Sequence, residues 1–105
     1  MHPVMNDTKW NELRLAMYGL DGPCPMWRTK DIGTGFESSW DGEWFYHFSE
    51  GGFSTVEWVE IQVNTSDQRA AVLAALKAIH VPGHQTENGY KIYGYVRSFD
   101  DLEYL

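Results

Sequence analysis

The feature that most constrains this chain is a change of hydrophobic period at Pro25 that reverses after Val63. Before it, Trp10, Leu13, Met17 and Leu20 recur at steps of three and four, the spacing of one helical face. From Pro25 to Val63 apolar and polar side chains alternate in short runs between glycine-bearing breaks, the pattern of strands joined by tight turns. A second helical stretch and one more alternating run complete the 105 residues. A sequence of helix, strands, helix and strand has few ways to bury every apolar face at once. The expectation is one α+β domain over residues 1–105: an antiparallel sheet of four to five strands, two helices on one face, order α-β-β-β-β-α-β.

The elements can be placed from local chemistry. Asp7 or Thr8 is a candidate cap for the first helix, and Gly19 with Asp21-Gly22-Pro23 ends it, glycine supplying a left-handed cap. Strands are expected at residues 26–30, 36–40, 44–48 and 53–63, with Gly33-Thr34-Gly35 and Asp41-Gly42 as the sharpest turn signals. In the fourth strand Val59, Ile61 and Val63 share the core side, while Trp58, Glu60 and Gln62 share the other, which separates Glu57 from Glu60. The second helix spans 67–80, its stripe formed by Val72, Leu73, Leu76 and Ile79. A polar loop through Asn88-Gly89 leads to a last strand at 90–96. Residues 1–6 read as a loose leader and 98–105 as an acidic tail.

Charge and composition exclude several function classes. Eight Lys+Arg against fifteen Asp+Glu leave a formal charge of -7, which opposes binding to a phosphate backbone and sets nucleic acid aside as a partner. Base stacking on aromatics would need a positive groove, and only Arg28, Lys30, Lys91 and Arg97 are near the expected sheet. No run of about eighteen apolar residues is present, so no membrane partner is expected. The first seven residues lack the basic and apolar regions of a secretory signal, and Cys24 is the single cysteine. Both point to a cytoplasmic protein.

The residues able to carry chemistry do not converge. Cys24 lies between Pro23 and Pro25 with no activating neighbour, so it reads as a small side chain in a turn. His80 and His84 are four apart, but Pro82 and Gly83 interrupt the helix and no further ligand follows, so no metal is expected. Asp41, Glu43, Glu57 and Glu60 lack the lysine two residues after a strand acid that common metal-nuclease cores carry. The glycine pairs sit in turns without a following helix, so no phosphate cradle and no cofactor are expected. His47 with Glu57 or Glu60 is the one acid–base pairing across neighbouring strands, and the register does not settle whether they meet. These absences weigh against an enzyme. The surplus is aromatic, 15% of the chain, with Trp40, Trp44, Tyr46, Trp58, Tyr93 and Tyr95 able to occupy the sheet face opposite the core.

The chain resembles a family of small bacterial proteins with no assigned activity. That resemblance rests on Asn6-Asp7-Thr8-Lys9-Trp10, on Trp27-Arg28-Thr29-Lys30-Asp31, and on Trp40-Asp41-Gly42-Glu43-Trp44-Phe45-Tyr46-His47-Phe48. It continues through Glu57-Trp58-Val59-Glu60-Ile61 and Tyr93-Gly94-Tyr95. In size, charge and architecture the chain is also similar to immunity proteins of bacterial toxins, without sharing a motif. The resulting expectation is a non-catalytic domain that binds a basic protein, acting as an immunity protein that neutralises a cognate bacterial toxin or effector. Asp41, Glu43, Glu57, Glu60, Asp100, Asp101 and Glu103 would steer the partner, and Trp40, Trp44 and Trp58 would anchor it. The alternative is a small enzyme or small-ligand binder using an aromatic pocket with His47 and a strand acid.

Overall fold

The computed structural model describes all 105 residues. Helix α1 (Asp7–Tyr18) buries Trp10, Leu13 and Met17 on one stripe. Its cap is Asn6, whose side chain accepts from the Lys9 amide, rather than Asp7 or Thr8. Gly19 ends it with φ of -87°, so no left-handed residue is needed there. Helix α2 (Ser66–Ile79) is capped by Thr65, which accepts from the Gln68 amide, a contact worth about 1 kcal/mol. At its far end His80 takes the left-handed conformation, and Lys9 of α1 donates to the Ile79 and His80 carbonyls at 3.1 and 2.5 Å. That lysine ties the two helices together and places positive charge where the α2 dipole is negative.

Both helices cover one face of a four-stranded antiparallel sheet in the order β2-β3-β5-β4. The strands are β2 (Met26–Asp31), β3 (Val56–Gln62), β4 (Gly83–Gln85) and β5 (Gly89–Tyr93). Register puts Trp27 beside Ile61, Thr29 beside Val59, Val59 beside Ile92 and Ile61 beside Tyr90, all on the helix side. Val59, Ile61, Val72, Leu76 and Ile92 are sealed there with α1. The α+β architecture is therefore the one expected, with its strands differently assigned.

Four differences have physical causes. Residues 36–40 form no strand. They run along β2 with bridges at Lys30–Glu37 and Trp27–Asp41, but the Thr29 amide donates to the Ser38 hydroxyl instead of a carbonyl, which interrupts the ladder. Residues 44–48 are a coil of turns, not a strand. The Glu43 carboxylate accepts from the amides of Phe45, Tyr46 and His47 at 3.1, 2.6 and 2.8 Å, and Asp41 Oδ1 accepts from the Glu43 amide. Donors taken by side chains are not free for a neighbouring strand. Asp41-Gly42 is thus the entry to this coil rather than a hairpin tip.

Third, the loop before residue 90 contains β4, which pairs with β5 through Gly83–Ile92, His84–Lys91 and Gln85–Tyr90. Fourth, residues 1–6 are not loose. Strand β1 (His2–Pro3) pairs with β6 (Tyr95–Val96), and the Val4 amide donates to the Gly94 carbonyl. A Cβ at Gly94 would overlap the Val56 carbonyl and crowd the Trp10 ring, so only glycine lets the chain pass there. The acidic tail is also tied down. The Gly83 amide donates to the Glu103 carbonyl, and Tyr104 stacks flat on His80 at 4.2 Å. With residues 36–41 along β2 and 103–104 along β4, both edges of the sheet are partly covered.

Candidate functional site

Two surfaces remain, and they use similar residues differently. The first is the sheet face away from the helices. Register sets Arg28 opposite Glu60, and Glu60 opposite Lys91, while Lys30, Trp58 and Tyr93 form the next row and His84 stands beside Lys91. Arg28 donates to Glu60 Oε1 through Nε and Nη2 at 3.1 and 2.8 Å. Lys30 lies 3.8 Å from Glu57. A bulge opposite Lys30 and Asp31 makes this second pair possible. It inserts Glu57 between the paired positions 56 and 58, so Glu57 and Glu60 reach the same face instead of opposite ones.

Neither acid on this face is free to steer a partner, because each meets a cation. Trp58 is also withheld, only 8% exposed, with Lys91 Nζ 4.4 Å and Arg28 Cζ 5.9 Å from its ring. Trp40 is 38% exposed and holds Arg28 at 4.9 Å. The face is a mixed mosaic of charge rather than an acidic one.

The second surface is the coil after Asp41, where it meets the last turn of α1. Spacing of four puts Trp44 and Phe48 inward. Trp44 is 1% exposed, its indole donating to the Pro25 carbonyl, and Phe48 packs against Trp10, Trp27, Trp44 and Phe53. Trp44 is therefore a core residue, and its expected place as a surface anchor is corrected. The residues between these two point out. Tyr46 is 73% exposed and Tyr18 54% exposed, and Phe45 bridges them with ring distances of 4.9 and 5.1 Å. Arg14 braces the row, donating to the Phe45 carbonyl at 2.5 Å and lying 4.8 Å over its ring.

Carboxylates surround the same coil. His47 Nδ1 meets Asp41 Oδ2 at 2.8 Å. That bond, then the charges of Asp41, Glu43 and Glu50, raise the His47 pKa above its usual value. Burial works to raise Asp41, but the Glu43 amide and His47 outweigh it and hold the carboxyl below its usual range. Glu43 is lowered chiefly by the His47 amide, with those of Tyr46 and Phe45 adding to it against some burial. These acids stay ionised while shaping the coil.

His47 is thus placed with Asp41 and not with Glu57 or Glu60, which are held by Lys30 and Arg28. The general acid–base pair considered from sequence is not assembled. His80 and His84 do not share a site either, since His80 stacks on Tyr104 and His84 is hydrogen-bonded to Tyr93. Of the expected binding residues, Asp41 and Glu43 lie on the second surface, and Trp40, Glu57, Trp58 and Glu60 on the first. Tyr18 and Phe45 were not singled out from sequence, though Tyr18 falls off the buried stripe of α1, which is the signal that marks an exposed ring. No helix is long and apolar enough to cross a membrane. No curated protein and no solved structure matches the chain. A family model spans residues 1–99, nearly the whole sequence, and the chain belongs to that family of unknown function, DUF6678.

Proposed function

We propose that this protein is a non-catalytic binding domain that docks a basic partner protein on the Tyr18–Phe45–Tyr46 row. The observation that carries this reading is the juxtaposition of two exposed tyrosines with Asp41, Glu43 and Glu50, acids whose one ion pair is His47 with Asp41, Arg14 being held against Phe45. Aromatic rings on a rigid support are the usual anchors of protein interfaces, and an acidic surround speeds encounter with a cationic surface. The net charge of -7 extends that attraction beyond the patch. The narrower form is a bacterial immunity protein acting in the cytoplasm against a basic toxin or effector. The acid excess, the small size and the single free Cys24 support it.

The test is affinity capture with the native protein, with Tyr18→Ser/Tyr46→Ser, and with Glu57→Lys/Glu60→Lys. The tyrosine pair should weaken capture of a basic partner about tenfold or more, because each removes an anchor. The strand charge reversals should weaken capture less, because those acids already meet cations and the change acts through the net charge, which goes from -7 to -3. Capture should fall as salt rises and the Debye length drops below about 10 Å. A partner retained equally by the tyrosine variant at every salt concentration overturns this surface. For the narrower form, the adjacent reading frame should encode a basic toxin whose effect on growth co-expression suppresses.

A further inference from the structure

On the helix-free face, charge is distributed unevenly. Glu60 stands between two cations in register, Arg28 on β2 and Lys91 on β5, and its carboxylate goes to Arg28. Lys91 is left with no carboxylate within 4.0 Å and lies over Trp58 instead. Beside it a cavity of about 240 Å³ opens between β3, β5 and the 3-10 turn of residues 99–101. Arg97, also without an ion-pair partner, lines the same cavity, as do His84, Tyr93 and Tyr95. Two acids share the wall. Glu57 is engaged by Lys30, which leaves Asp101 as the lining acid without an ion pair, against Lys91 and Arg97. Lys91 and Arg97 thus bring two cations free of ion pairs to one hollow.

The neutral lining adds a directed donor. Tyr93 and His84 Nδ1 are hydrogen-bonded across the β4–β5 pair. Burial, then the charges of Glu103 and Asp101, raise the Tyr93 pKa, so the phenol keeps its proton. With the phenol as donor to Nδ1, the neutral imidazole carries its ring proton on Nε2, an N–H available to an acceptor. Tyr93 and Tyr95 add aromatic surface to the lining, with the edge of Trp58 under Lys91.

We propose that this cavity binds a small organic anion, a carboxylate or phosphate carried on a compact ring, with Lys91, Arg97 and His84 Nε2 holding the anionic head. The volume admits roughly a dozen non-hydrogen atoms, which sets it below the usual size of a nucleotide or drug site. The site lies on the sheet face, separate from the tyrosine row, so the two proposals stand or fall independently.

The experiment follows the Trp58 indole N–H signal by NMR, assigned with Trp58→Phe, during titration with benzoate, phenyl phosphate and benzylammonium. Benzoate or phenyl phosphate should shift it saturably with a dissociation constant of roughly a millimolar, and the tighter of the two identifies the head group. Lys91→Met keeps the stem that covers Trp58 and removes the charge. It should weaken anion binding about tenfold, the size of a lost charge-assisted contact. Arg97→Met, at an exposed position, repeats the test where the fold is not at stake. Benzylammonium binding as well as benzoate, no saturable shift with either anion, or unchanged affinity in both variants would each overturn the assignment.

Discussion

The stretch from Asp41 to Phe48 and the stretch from Glu57 to Ile61 each set two acids beside a tryptophan and other large side chains. One became a coil of turns and the other the strand β3. The difference lies in what the carboxylates bind. In β3 the backbone amides go to β2 and β5, and Glu57 and Glu60 turn outward to Lys30 and Arg28. After Asp41 the order is reversed, with Asp41 and Glu43 taking the backbone amides themselves. A carboxylate satisfied by a neighbouring cation lends the surface no net charge. One satisfied by its own backbone keeps its charge and sets the local shape. That is why the acidic aromatic surface lies on the coil and not on the strand.

The sharpest break in this comparison is Trp44→Ala. It should cost about 3–5 kcal/mol in denaturant unfolding, as for a buried tryptophan, whereas Tyr46→Ala two residues later should cost under about 0.5 kcal/mol. Equal costs would mean that the coil does not sort its rings inward and outward. Next in size is Glu60→Lys. The paired carboxylate is only 20% exposed, and reversal sets one cation against another, so a loss of about 1–2 kcal/mol is expected. An unchanged midpoint would show that the Arg28 pair contributes nothing.

Glu43→Gln probes the other side of the comparison. The amides of Phe45, Tyr46 and His47 should exchange with solvent faster, while those of β3 keep their protection. Uniform acceleration across both regions would make Glu43 a global rather than a local determinant. The smallest effect is the pH dependence of the His47–Asp41 pair. The raised His47 contributes stability fully below its usual 6.5, and that contribution fades as pH rises through its higher folded value. The lowered Asp41 contributes above 3.8, and its share is lost as pH falls through its depressed folded value. The melting temperature of the native protein relative to His47→Gln should therefore be highest in the acidic-to-neutral window between these limits and converge above it. A difference that grows with alkaline pH contradicts the pairing.

Periodicity alone determined a good deal of this molecule. Trp10, Leu13 and Met17 on α1, Val72 and Leu76 on α2, and Val59 and Ile61 in the sheet all stand where their spacing placed them, because burial of a stripe or an alternating face depends on local order. Residues 44–48 were not legible in the same way. A run of consecutive aromatics has no period that separates a strand from a tight coil, and only the spacing of Trp44 and Phe48 hinted at the outcome. Strand β4 was hidden for a different reason, since three residues become a strand only when Tyr90, Lys91 and Ile92 lie beside them. The charge pattern belongs wholly to the tertiary structure. Whether Glu60 answers Arg28 or Lys91, whether a bulge brings Glu57 to the same face, and which cations are left unpaired are all set by register between strands distant in sequence, and register is a property of the assembled sheet.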